Sequence, residues 1–406
     1  MLAVVAIAGP GLIAANAGND AAGIATYASA GAQYRYDTLF FMVLVTVALV
    51  MVQEMAVRLG AYTGKGLAAL IREQFSLRLA GLALGCLMLA NVGLVISEFA
   101  GIGAAFALLG VPRDVAIPPA AALLWALVVF GSYQRAQRIF LMLSLAFLAY
   151  PVAMVLGHPH WSAVGSHLVI PHMHGSSAFV LLGVALIGTT VSPYMQFYAA
   201  SGVVDRQGTE HTAPPSFRLL RADAIVGAVF ACVISITIIV ATGTAIGGTG
   251  PLHSAASAAL ALRPAAGSGA EVLFAIGLIG ASALAAAVVP LSTSYAVGET
   301  IGVERSVSLR FSQAPLFLGL FTAQIVVGAA IAMTPVNVIS LLIGSQVLQG
   351  LISPIVLVFI LVLANRRSLL GDAANSRAYR IGAGIVVAGI AAMSTLLFVQ
   401  TVSGWI

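Results

Sequence analysis

Residues 16–27 read NAGNDAAGIATY, and they interrupt an apolar segment that otherwise runs from Leu2 to Ala32. A carboxylate (Asp20), two asparagines (Asn16 and Asn19) and a run of small residues stand where a bilayer-spanning helix would have its middle. Acidic groups at that depth are costly and normally face a cavity or a partner. The break therefore predicts a discontinuous helix whose freed backbone and charged side chain serve a ligand.

The rest of the chain fixes the setting. Of 406 residues, 60% are hydrophobic and 8% charged, and mean hydropathy is +1.05. Soluble domains carry roughly 25% charged residues, so a soluble enzyme or nucleic-acid-binding module is excluded. Apolar stretches of spanning length are expected at 2–32, 38–58, 79–110, 115–133, 137–157, 176–204, 222–247, 270–302, 313–334, 336–364 and 381–404. The expectation is an all-α polytopic membrane protein of eleven transmembrane helices, forming one transporter domain over 1–406. The first segment has no basic n-region or cleavage site and is not read as a signal peptide. It begins almost at Met1, which suggests a longer natural chain. Cys86 and Cys232 lie in apolar segments and read as small core residues rather than a disulfide or metal pair.

With the N-terminus cytoplasmic and the C-terminus external, fifteen of the eighteen basic residues fall on the cytoplasmic side. Only Arg35, Arg113 and Arg263 are then external, as the positive-inside rule requires. The sixth span is also interrupted, at GTTVSPYMQ (188–196), where Pro193 removes a backbone donor and disfavours helix at Ser192. If spans 1–5 (about 2–157) and 6–10 (about 176–364) are two copies of one unit, both breaks fall in the first helix of a copy. Five helices per copy place the copies in opposite orientation, the inverted-repeat plan of transporters with a midplane site. The helix at about 381–404 stands outside the repeats.

Acidic residues at membrane depth are Asp20, Glu98 and Glu299, with Glu54 nearer the cytoplasmic end. No basic residue lies deep enough in the sequence to neutralise Asp20, so that carboxylate is expected to bind a cation or carry a proton. The external loop 158–175, HPHWSAVGSHLVIPHMHG, holds five of the seven histidines. It reads as solvated polar surface, with metal gathering as the alternative.

Several motifs together resemble one family. AGAQYRYDTLF (30–40), VRLG (57–60) and TGK (63–65) look like the start of an Nramp-type divalent-metal transporter, the natural resistance-associated macrophage protein family. LLIGSQVLQGLISP (341–354) and ANRRSLLGD (364–372) resemble helix 10 and its following loop. The resemblance covers essentially the whole chain and implies a LeuT-type inverted 5+5 fold with broken helices 1 and 6. The family's Asp-Pro-Gly-Asn motif falls on Asp20-Ala21-Ala22-Gly23, and its helix-6 Met-Pro-His falls on Ser192-Pro193-Tyr194. In helix 3 the glutamate of an Asp-x-x-Glu pair falls on Glu98, while the aspartate position is Val95.

The departures imply chemistry. A thioether selects softer metals, and serine in its place removes the preference for manganese or iron over magnesium. Magnesium retains several waters in its shell, and a wall of Ala21, Ala22, Gly23 and Ser192 is expected to be roomy enough for them. The metal set implied is Asp20, Gly23, Thr189 (through its carbonyl), Ser192 and Gln346, with Asn16, Asn19, Glu98, Tyr194, Gln196 and Glu299 as possible second-shell or pathway groups. Proton relays need titratable chains; here the histidine and the aspartate are missing. The expectation is uncoupled uptake of hydrated Mg2+ (also Mn2+), as in the Nramp-related magnesium transporter (NRMT) branch, in a bacterial-type inner membrane. The divalent ion is cargo; no cofactor, nucleic acid or obligate protein partner is implied beyond the lipid bilayer. A proton-coupled Mn2+/Fe2+ importer and an organic-substrate permease of the same fold are the alternatives. An intramembrane hydrolase would need a base for Ser192, and no histidine or lysine lies at that depth.

Overall fold

The computed structural model describes residues 18–130, 139, 142, 145–209, 216–304, 307, 309–335 and 337–403. Among the described residues every regular element is helical. In chain order these are α1 (Ala21–Tyr34), α2 (Leu39–Thr63), α3 (Leu67–Gln74), α4 (Leu77–Leu108), α5 (Arg113–Val129), α6 (Ala149–Leu156) and α7 (Trp161–Val169). There follow α8 (Ser177–Thr190), α9 (Pro193–Thr209), α10 (Phe217–Ile246), α11 (Ala270–Ile301), α12 (Pro315–Ala332), α13 (Val338–Ala364) and α14 (Arg377–Ser403).

Several starts were written in the sequence as N-caps, whose side-chain oxygens satisfy orphan N–H groups of the first turn. Ser76 accepts from Leu79 N, Ser176 from Phe179 N and Asn337 from Ser340 N. The helices overrun the expected spans at their polar ends: α2 continues to Thr63, α10 starts at Phe217 and α14 at Arg377. Hydropathy marks only the apolar middle, whereas backbone hydrogen bonding continues until a cap ends it.

Eight helical runs among the described residues are long and apolar enough to cross a bilayer, with 177–205 counted as one. The expected count of eleven is therefore not reproduced by the described residues. The first half of span 2–32 lies outside them, and span 137–157 is described continuously only from residue 145. Span 115–133 appears as α5, whose 17 residues sit at the short end of the spanning range.

The centre is built from tight helix pairs: α4 on α11, α8 on α13, α1 on α10 and α9 on α2. Asn91 of α4 fastens the first pair, donating to the Val289 carbonyl (3.3 Å) and to the hydroxyls of Ser292 (2.9 Å) and Thr293 (2.8 Å). Such polar glue suits an interior where apolar surface alone gives helices no reason to associate. Small residues set the second pair. A Cβ on Gly188 would run into the backbone oxygen of Gln346, and one on Gly350 into that of Val184. On the periphery Leu82, Leu89, Val226, Ile385 and Phe398 are exposed, an apolar surface suited to lipid.

Charge separates along the helix axes. At one end Glu54 is buried and pairs with Arg58 (3.2 Å) and Arg221 (3.4 Å), and accepts the Tyr379 hydroxyl (3.1 Å). Arg72 donates to the Thr300 carbonyl and Arg366 to Gln74 at the same end. The opposite end carries Arg35, Asp37 and the histidine-rich segment 158–175.

Candidate ion site at the helix breaks

The start of one helix and the break between two others meet in the interior: the chain turns through Gly18 and Asn19 to Asp20, which caps α1, and α8 breaks from α9 at Val191 and Ser192. The Thr189 hydroxyl donates to the Gly18 carbonyl (3.0 Å), so the end of α8 satisfies backbone ahead of α1. One turn further out, the hydroxyls of Tyr27 and Thr190 are 3.2 Å apart and join α1 to α8 again.

Asp20 is 1% exposed. Its Oδ1 accepts the Gly23 N–H (2.5 Å) and the Gln346 amide (3.2 Å), and Oδ2 lies 3.5 Å from the same amide. No basic side chain among the described residues pairs with it. The adjacent Ala21 N–H donates to Glu98 Oε2 at 3.2 Å, so two carboxylates share the positive N-terminus of α1. The carbonyl oxygen of Gln346 is buried without a hydrogen-bond partner among the described residues. A buried carboxylate flanked by a second one, an unused amide oxygen and no basic counter-ion is an arrangement that attracts a cation.

Asp20, Gly23, Thr189, Gln346 and Glu98 are thus brought together around the first turn of α1. Tyr194 is fully buried in the first turn of α9. The other expected residues take different positions. Ser192 donates its hydroxyl to the Gly188 carbonyl, with the Thr189 carbonyl 3.5 Å away; it serves backbone freed by Pro193. Asn19 faces away from Asp20, bonding the Ala231 carbonyl and the Ser235 hydroxyl of α10. Gln196 is fully buried with both amide atoms unpartnered among the described residues. Asn16 lies outside the described residues.

Glu299 sits at the cap of α3, far along α11 from the breaks. It accepts Ala68 N–H (3.2 Å) and the Ser201 hydroxyl (2.6 Å). Removing the carboxylate leaves two buried donors unsatisfied, at about 1–3 kcal/mol. Glu299→Ala is expected to lower the melting temperature of the solubilised protein, and Glu299→Gln, which keeps an acceptor, to lower it less. Equal melting of Glu299→Ala and the parent would remove this capping role.

One expectation requires correction. The wall of small residues is not roomy: Ala21, Ala22 and Ser192 are at most 1% exposed, and a Cβ on Gly23 would meet the Thr189 hydroxyl and the Gly18 carbonyl. Small side chains allow backbones to approach and fill the space themselves. The crevice beside the break, lined by Asn19, Tyr27, Thr189, Met195 and Cys232, is too narrow for a water molecule. Met195 and Cys232 line this crevice together with Thr189, and sequence reading assigned neither to the site. Gln349 was missed as well: it is fully buried, with its amide unpartnered among the described residues. Its signal was the spacing QVLQ inside an apolar span, which puts Gln346 and Gln349 on one helix face.

Comparison with known proteins adds an independent line. A family model described as "Natural resistance-associated macrophage protein-like" (Nramp) matches residues 11–400. A curated relative, the "Divalent metal cation transporter MntH" of Ralstonia nicotianae, is 30% identical over 420 residues, covering 98% of this chain and 91% of the relative. The MntH of Pectobacterium carotovorum is 27% identical over 414 residues, covering 98% and 95%. Among solved structures, a manganese transporter from Eremococcus coleocola superposes with a TM-score of 0.80 at 18% identity, covering 99% of this chain and 88% of that one. A nucleobase-cation-symport-1 family transporter in a closed conformation superposes at 0.53 with 13% identity, covering 98% and 93%.

Proposed function

The chain belongs to the Nramp family, and from that premise we propose that it carries Mg2+, and also Mn2+, without proton coupling, through the site at Asp20. At the coarser level it is an integral membrane protein and a divalent metal cation transporter, not an enzyme.

The observation that carries the ion assignment is the Asp20 carboxylate, sealed from solvent, with Gln346 as its side-chain partner and that amide's own oxygen unused. Carboxylate and amide oxygens are hard donors suited to Mg2+ and Mn2+. Position 192, where the resembling family has a thioether, is a serine engaged with backbone. A largely hydrated ion needs more space than this closed packing offers, so the proposal includes an opening of the α1–α8 contact during the cycle.

Absence of coupling is supported by Val95, fully buried where the resembling family has a titratable aspartate. The helix pairings favour the inverted repeat: α1 on α10 and α9 on α2 are contacts that exchanging the halves would interchange, while α4 on α11 would map onto itself. The basic cluster around Glu54 supports a cytoplasmic N-terminus by the positive-inside rule.

A second reading has its own observation. Glu98 stands one residue from Asp20 through the Ala21 N–H, a titratable neighbour that suits a proton-coupled Mn2+ importer. Reconstitution in liposomes with an internal pH dye separates the two. Mg2+ entry without acidification is expected; manganese-only entry with acidification would overturn the magnesium reading in favour of the second.

A further inference from the structure

At the end of the molecule opposite Glu54, the turn between α1 and α2 meets the segment joining α6 to α8. Histidines that are irregularly spaced in the sequence converge there on Asp37. His167 Nε2 lies 3.1 Å from Asp37 Oδ1 and His174 Nε2 lies 2.6 Å from Asp37 Oδ2. The His167 and His172 rings stack with centroids 4.0 Å apart. One donor atom each from Asp37, His167 and His172 falls within 4.8 Å of the others.

The backbone decides what these rings offer. His167 Nδ1 bonds the Ala163 carbonyl (2.7 Å) and His172 Nδ1 bonds the Ile170 carbonyl (3.0 Å). A carbonyl only accepts, so each Nδ1 carries the hydrogen and each neutral ring keeps its lone pair on Nε2. His167 Nε2 then faces a carboxylate oxygen, an arrangement completed by a proton on Nε2 or by a metal ion between the two. Fixing a ring through its far nitrogen is how proteins orient imidazoles for a metal, and His167 is held in this way; His172, stacked nearly parallel to it, turns out of the stack to bring its own nitrogen to the same ion. Ligands of a tetrahedral ion at roughly 2.0–2.1 Å stand about 3.3 Å apart, close to the His167–Asp37 separation. His174 donates to the second carboxylate oxygen and leaves Oδ1 for the ion. Arg35, the neighbouring basic residue, does not compete, because its Nε donates to the Gly247 carbonyl (3.2 Å). The side chains of Asp37 and His167 are 24% and 20% exposed, so an ion can reach them.

We propose that Asp37, His167 and His172 form a second divalent-metal site, selective for a zinc-class ion, that clamps the far ends of α1 and α8 together. Two imidazoles, one carboxylate and an open position make a borderline donor set that favours Zn2+ over the oxygen-seeking Mg2+. The site is distinct from the helix breaks: α1 runs 14 residues from its cap, which puts its far end about 21 Å from Asp20. The clamp follows from connectivity. Tyr34, the last residue of α1, packs its ring against His174 (5.5 Å) and against Phe179 of α8 (5.0 Å). Asp37 follows three residues after α1, and His174 precedes α8 by three. An ion here joins the two half-helices whose inner ends form the site at Asp20, and it does so without being cargo.

The test is independent of transport. Purified full-length protein, its Asp20→Ala variant and the double variant His167→Ala/His172→Ala are titrated with Zn2+ and, separately, with Co2+ read by its visible tetrahedral absorption. Parent and Asp20→Ala are expected to bind one Zn2+ at this site with similar affinity and to develop the Co2+ bands. The double variant should bind roughly 100-fold more weakly and develop none. Hydrogen exchange at residues 34–38 and 165–176 should slow with Zn2+ in the parent, and not with Mg2+. Unchanged melting of the double variant without metal controls for folding; His172→Ala alone, which leaves the His167–Asp37 contact, serves if the double variant is unstable. Equal Zn2+ binding by parent and histidine variants, loss of the site on Asp20→Ala, or binding with no protection of these segments would each overturn the proposal.

Discussion

Asp20→Asn is expected to reduce divalent-cation uptake at least about 100-fold while leaving the fold intact. The substitution is close to isosteric, and its side-chain oxygen can still accept the Gly23 N–H that now bonds Oδ1. What it removes is charge. Asp20 is 1% exposed and has Gln346 as its side-chain hydrogen-bond partner, so the neighbouring Glu98, already engaged by the Ala21 N–H, is left to attract the cation without it. A hundredfold change corresponds to about 2.8 kcal/mol, within reach of one buried carboxylate acting on a doubly charged ion. The measurement is initial uptake into liposomes at matched protein content, alongside melting temperature. Uptake within threefold of the parent, at unchanged melting, would mean that this carboxylate only caps α1.

The second large effect belongs to Gly188. A Cβ there is aimed at the carbonyl of Gln346 and the amide of Gly350, both backbone atoms of α13. Flexible side chains can swing aside; two helical backbones in contact cannot, and the helices must part. Overpacking a well-filled interior typically costs about 1–3 kcal/mol, and this collision involves backbone on both sides. Gly188→Ala is expected to lower the yield of monodisperse protein severely. Gly344→Ala on α13, where an added Cβ meets nothing within 4 Å, should behave as the parent. Equal yield and melting of the two variants would refute the close contact.

The sequence made the helical membrane fold legible because a bilayer imposes a coarse rule: apolar runs of a certain length with charge at the ends. It also marked Asp20, where α1 starts, through a carboxylate in an apolar run, and the break at Val191 and Ser192 through Pro193. It could not convey what fills the space at a break. Ala21, Ala22 and Gly23 suggested room for waters, yet the same small side chains let Gly18, Thr189 and α1 close on one another. Composition is silent on whether a missing side chain leaves a cavity or a contact. Ser192 was marked by its place in the helix-6 motif and Asn19 by its polarity at the break, and both spend their polar groups on neighbouring backbone and hydroxyls. The histidine-rich loop was legible, with metal gathering as the alternative reading, but Asp37 was not joined to it: helical or strand periodicity groups residues along one element, whereas α7, its following loop and the 35–38 turn are joined only in three dimensions.

The bond from the Thr189 hydroxyl to the Gly18 carbonyl has a kinetic meaning. A neutral hydrogen bond is worth about 0.5–1.5 kcal/mol net, so this bridge can tilt the balance between joined and parted half-helices by no more than about tenfold. In the opening proposed for the α1–α8 contact, a bond that weak would bias the closed arrangement without arresting it.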